Sequence, residues 1–196
     1  MEEQPGSMVF SQLDYFIEKD LSPRLILREH CFGCFNQFPS EVVTITDTFC
    51  KKPVDRYDYS QPFTPVPQQF FYLSEKLAQE IAAALKGVEL CILYDILSRG
   101  DKLIFNTALR TALMEYPKLS LLYLSHYSPT PKIYGLSWPK NARFLPLPNT
   151  TYLCHTPEEL LGVCRQFDVL PSSCRLFFSQ DDLFAFLQEK KTVPLC

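Results

Sequence analysis

The sequence predicts an α/β fold. It reads as a single three-layer domain with a mostly parallel central sheet flanked by helices, carrying two long loops rich in proline and aromatic residues. Three observations carry this. Val88 to His126 runs as an apolar stretch, a helix-period stretch and a second apolar stretch. From Thr151 onward the chain alternates strand, helix, strand and helix patterns. Residues 51–69 hold four prolines and residues 127–151 hold five, and both windows break every periodicity around them.

Residues 1–7 are acidic and polar and read as a disordered tip, which leaves 8–196 for the domain. Met8 to Lys19 places Val9, Leu13, Phe16 and Ile17 on one helical face. Leu25–Leu27 and the β-branched stretch Val42–Thr48 read as strands, with a turn at His30–Cys34. The 51–69 window reads as an extended surface connection, long enough to be a binding segment. Ser74 is placed to cap a helix to Lys86, in which Leu77, Ile81 and Leu85 recur every four residues and Gly87 ends it.

Val88–Ile96 is almost continuously apolar, as suits a strand covered on both faces. Phe105, Ala108, Leu109, Ala112 and Leu113 form a helical stripe that Pro117 stops, and Leu119–Leu124 follows as a second strand. A strand–helix–strand unit with short connections is a right-handed parallel crossover. The second loop follows, with Arg143–Leu147 as a short edge segment and Thr151–His155 as the next strand. Thr156-Pro157-Glu158-Glu159 is a helix start: a cap residue, proline at the first position, and acids at the positive end of the dipole. Leu160, Leu161, Val163, Cys164 and Phe167 supply its buried face. Cys174–Phe178 reads as a strand, and Ser179 caps a last helix anchored by Leu183, Phe184, Phe186 and Leu187.

Composition bounds the function. The net charge of −3 and the absence of a basic run do not indicate nucleic acid as a partner. The acidic start is no secretory leader, and no apolar run approaches the roughly 20 residues of a membrane span. The expected location is therefore intracellular, cytoplasmic or nuclear, where the eight cysteines are reduced.

The chemistry-bearing residues fall into a few groups. Cys31 and Cys34, with His30 adjacent to them, have the two-residue spacing that grips zinc from a tight turn, and Cys50 is a third ligand candidate. The second pair of a complete site is missing, so zinc competes with a plain turn holding two thiols. Asp95 ends the first central strand, while Asp181 and Asp182 follow the last one. Acids beyond the carboxyl ends of strands can hold Mg²⁺ for phosphodiester hydrolysis, although acids at a helix start also serve the helix alone. Ser125, His126, Cys154 and His155 at strand ends offer a nucleophile and a base, but no G-x-S-x-G elbow accompanies them. With six glycines the chain contains no dinucleotide or phosphate-loop motif.

Tyr57, Tyr59 and Phe63 in the first loop, and Tyr127, Tyr134 and Trp138 in the second, are residue types that anchor protein interfaces. The expectation is a non-enzymatic intracellular subunit or adaptor whose partners are other protein subunits, with no cofactor beyond a structural zinc at the cysteines. The alternative is a metal-dependent nuclease-like enzyme, or a degenerate relative of one, using Asp95 with Asp181 or Asp182.

Overall fold

The computed structural model describes residues 12, 14–19, 24–28, 41–45, 63–94, 97, 102–124 and 129–192, with only the backbone course for 24–28, 41–45 and 189–192. The chain divides into two compact units, Thr48–Phe177 and a second formed by Met1–Asp47 with Phe178–Cys196.

The larger unit is a four-stranded parallel sheet with helices, the α/β class that the sequence predicts. Its strands are β3 (Leu90–Tyr94), β4 (Ser120–Leu124), β5 (Thr150–Cys154) and β6 (Cys174–Leu176), hydrogen-bonded in the order β3-β4-β5-β6. Leu93 pairs with Tyr123, Tyr123 with Tyr152, and Tyr152 with Cys174. Leu121, Leu122, Tyr123 and Leu124 are all buried, so β4 is covered on both faces. That is why its sequence lacks the polar alternation of a half-exposed strand.

Spatial order follows chain order, so every crossover steps one strand in the same direction. Right-handed crossovers then set the connecting elements on one face. Packing agrees: helix α2 (Gln68–Leu85) lies on α3 (Leu103–Leu113), α3 on a 3-10 turn (Lys140–Phe144), and that turn on α4 (Pro157–Phe167). Tyr123, Tyr152 and Phe167 meet on this face with ring centroids 5.2–5.8 Å apart. Tyr116 ties the α2–α3 pair by donating its hydroxyl to the Ala82 carbonyl at 2.6 Å.

Three local expectations need correction. Helix α2 starts at Gln68, with Pro67 in the cap position, and not at Ser74. Phe70 is wholly buried in its first turn, so the apolar stripe begins there and Ser74 falls on the buried face. Phe71 and Tyr72 are accordingly exposed helical residues, outside the loop. Arg143–Leu147 forms no edge strand, because residues 140–144 close a 3-10 turn. Pro146 and Pro148 have no N–H to give a sheet ladder, and Arg110 takes the Leu145 and Pro146 carbonyls. On α4, Leu161 is half-exposed, and Gln166 occupies the buried stripe with Val163 and Phe167.

The smaller unit contains a helical segment α1 at 14–18, a parallel pair β1 (Arg24–Arg28) and β2 (Glu41–Ile45) in which Ile26 pairs with Val43, and helix α5 (Gln180–Thr192). Tyr15 of α1 meets Phe184 of α5 edge-to-face at 6.1 Å, and the Lys19 ammonium lies over both rings. Leu183 and Leu187 are the fully buried anchors of α5. Among the described residues no helix is long and apolar enough to cross a membrane.

Candidate functional site

The second proline-rich stretch, described from Pro129 to Asn149, is not a slack loop. It is a strap fastened near both ends, over residues 129–132 to α4 and over residues 143–147 to α3, α4 and β5. At its start Pro129 packs against Gly162, so closely that a Cβ built on Gly162 falls 2.7 Å from Pro129 Cγ. The next residue, Thr130, donates its backbone N–H to Gln166 Oε1 at 2.8 Å. Lys132 forms an ion pair with Asp168, the residue that ends α4 in the left-handed conformation. Gly162, Gln166 and Asp168 thus hold three nearby points of the strap from a single helix.

Farther on, Gln166 Nε2 donates to the Arg143 carbonyl at 3.3 Å. Arg110 of α3 donates to the carbonyls of Leu145 and Pro146, the latter at 2.9 Å, and its Nε donates to Asn106 Oδ1 at 2.8 Å. Burial lowers the Arg110 pKa to about 10, which still leaves it a cation at neutral pH. Its hydrogen bonds are therefore charge-assisted. Asn106 is in turn fixed by donating Nδ2 to the Leu97 carbonyl at 2.8 Å. At the far end Leu147 N–H donates to the Tyr152 hydroxyl at 3.2 Å. Phe144 and Leu147 are the strap's own buried side chains.

Two aromatic side chains on this strap remain outside. Tyr134 is 80% exposed and Trp138 is 48% exposed. The Lys132 ammonium sits 5.7 Å from the Tyr134 ring centroid, so the residue that pins the strap also props this ring. Phe63, just before α2, is 96% exposed, and Phe71 and Tyr72 in the helix are exposed as well. Of the six aromatic residues singled out in the sequence, Phe63, Tyr134 and Trp138 are thus solvent-facing, with Tyr134 and Trp138 on one strap. Tyr57, Tyr59 and Tyr127 lie outside the described residues.

The other groups fare differently. Asp181 accepts the Tyr15 hydroxyl, which raises that phenol to a pKa of about 12. Asp182 Oδ2 accepts the backbone N–H groups of Phe178 at 2.9 Å and Ser179 at 3.0 Å, while Ser179 Oγ accepts Asp182 N–H at 3.1 Å. Those bonds lower the Asp182 pKa. Both carboxylates therefore have structural work at the start of α5. Asp95, Ser125, His126, Cys31, Cys34 and Cys50 lie outside the described residues, so neither the acidic constellation nor the zinc turn is seen. Among the described residues no three His, Cys, Asp or Glu side chains are placed to hold a metal ion.

Beyond β5, Thr156 and Glu159 close the start of α4 with a variant of the capping box, in which the Glu159 side chain reaches the residue before the cap. Thr156 Oγ1 accepts Glu159 N–H at 3.1 Å, and Glu159 Oε2 accepts His155 N–H at 2.7 Å. The His155 ring packs on Phe177 with centroids 4.3 Å apart. This helix start already carries its own carboxylates, which oppose a bound anion. The monotonic strand order also supplies no strand-order reversal among the described strands, the place where open parallel sheets form their ligand crevice.

Residue-type reasoning missed Gln166, Arg110 and Gly162, which fasten the strap. The one signal was a polar Gln on the apolar stripe between Val163 and Phe167.

No family model, curated protein or solved structure matches this chain.

Proposed function

We propose that this protein is a non-enzymatic subunit or adaptor of a protein assembly, acting inside the cell, and that the strap bearing Tyr134 and Trp138 is its partner-binding platform. The observation that carries the reading is the contrast along that strap. Its backbone is bonded by Gln166, Arg110 and Tyr152 and its Lys132 side chain by Asp168, while its two largest aromatic side chains face solvent. Binding through a pre-ordered segment avoids much of the entropic cost of ordering a loop on contact. Exposed Tyr and Trp on a rigid backbone supply contact area at little further cost, which is why such residues dominate interface energetics.

Two features add support. Phe63 provides a second exposed aromatic surface outside the strap. The helix starts after β5 and β6 are closed by their own carboxylates, so the usual anion seats of an enzyme on this fold are taken. The paired Tyr134→Ala and Trp138→Ala variant tests the reading. It is expected to retain the fold and to lose the partner subunit that co-purifies with the unaltered chain.

A further inference from the structure

We propose that Cys164 and Cys174 form a dithiol modification site, which a small-molecule disulfide such as oxidised glutathione closes into an intramolecular disulfide bond. The inference is independent of the interaction reading. Cys164 projects from α4 and Cys174 opens β6, elements that pack on each other, and their sulfurs are 3.7 Å apart. A disulfide needs about 2.05 Å. At this separation the two thiols already touch.

A third thiol, Cys154, packs beside Cys174 on the same face of the sheet. Register sets Cys174 opposite Tyr152 and Leu176 opposite Cys154, so Cys154 and Cys174 are diagonal neighbours. Strands about 4.8 Å apart that rise about 3.3 Å per residue put diagonal Cα atoms about 8 Å apart, beyond the usual Cα span of a disulfide, about 4.4–6.8 Å. Cys174 therefore closes toward the helix and not along the sheet. Cys164 is half-buried while Cys174 and Cys154 are buried, so an incoming disulfide reaches Cys164 first.

The chemistry balances in two exchanges. The Cys164 thiolate attacks one sulfur of RSSR, the RS–SR bond breaks, and RS⁻ leaves and takes up a proton. Cys174 then loses its proton and attacks Cys164 Sγ, which releases the second RSH. Two protein thiols are oxidised and one RSSR is reduced to two RSH. Burial, and then the neighbouring Cys174 thiol, push the Cys164 pKa up to about 11, while Cys174 is raised further by its bond to Cys154 and by burial. Because the thiolate is the attacking form, closure is slow at neutral pH and accelerates about tenfold per pH unit up to the Cys164 pKa.

The bond would staple α4, the helix that holds Pro129, Thr130 and Lys132, to the sheet.

The test is incubation of the full chain with oxidised glutathione between pH 7 and 9, with acid quench, thiol alkylation and peptide mass spectrometry. The expected result is a linked Cys164–Cys174 peptide whose appearance speeds up about tenfold per pH unit. Cys174→Ser is expected to stop at the mixed disulfide on Cys164, and Cys164→Ser to leave Cys174 reduced. Unaltered protein that shows a stable mixed disulfide at Cys164, a Cys154–Cys174 link, or no oxidation at either residue would overturn the proposal. The unaltered chain is decisive by itself, so the outcome does not depend on the variants folding.

Discussion

Gln166 Oε1 accepts the Thr130 backbone N–H at 2.8 Å from a side chain only 1% exposed. A buried amide on a helix stripe is costly unless it is bonded at both ends. Here it is, because Nε2 reaches the Arg143 carbonyl. Replacing Gln166 with Leu keeps the volume and strands two strap groups, so stability is expected to fall by about 1–3 kcal/mol. Urea unfolding measures this, and Thr130 amide exchange is expected to quicken. Unchanged exchange at Thr130 would mean that the strap is held elsewhere.

Gly162 offers a sharper test. In an ordinary helix interior, Gly→Ala stabilises by about 1 kcal/mol. At this site the new Cβ meets the Pro129 ring at 2.7 Å, and a ring is not a flexible chain end. Gly162→Ala is therefore expected to destabilise by about 1–3 kcal/mol, as overpacking does. Adding Pro129→Ala should recover most of that loss, and a thermal double-mutant cycle reads the coupling.

Thr156 caps α4 through Glu159 N–H. Thr156→Ala is expected to cost about 1 kcal/mol, and Thr156→Ser very little. Chemical denaturation distinguishes the two. Equal losses for both would remove the hydroxyl from the account.

The pH dependence at α5 has a defined sign. Bonds from Phe178 N–H and Ser179 lower the Asp182 pKa below its ordinary value of 3.8. A carboxylate lowered in the folded state contributes stability in full above that ordinary value, and the contribution fades as pH falls through the folded pKa. Asp182→Asn is expected to flatten this acid limb, and an unchanged limb in that variant would contradict the assignment. Melting temperatures between pH 2 and 6 decide it.

Much of the fold could be read from local pattern. The apolar run at 120–124 is a buried parallel strand, the run at 90–94 is a parallel strand at the end of the order in which only Leu93 is buried and not the strand covered on both faces that its composition suggests, and Thr156-Pro157-Glu158-Glu159 starts a helix at Pro157. These features depend on periodicity and capping, which neighbouring residues carry. The start of α2 was hidden because prolines at 65 and 67 resemble an extended segment, although Pro67 is a sound cap position and Phe70 supplies the burial. The strap was harder still. Its order depends on Gln166, Arg110 and Gly162, which are 23 to 36 residues away from the positions they hold. No local window contains such a bond, so a pinned strap and a slack loop have the same local sequence signature. Exposure of Tyr134 and Trp138 was likewise a matter of tertiary packing.

The most direct test of the central claim is native mass spectrometry of the tagged protein gently purified from its own cells, beside the Tyr134→Ala/Trp138→Ala variant. The account predicts a complex of defined stoichiometry for the unaltered chain and a bare chain for the variant, with equal melting temperatures. The same complex for both, or a bare 22.7 kDa chain for both, would contradict it.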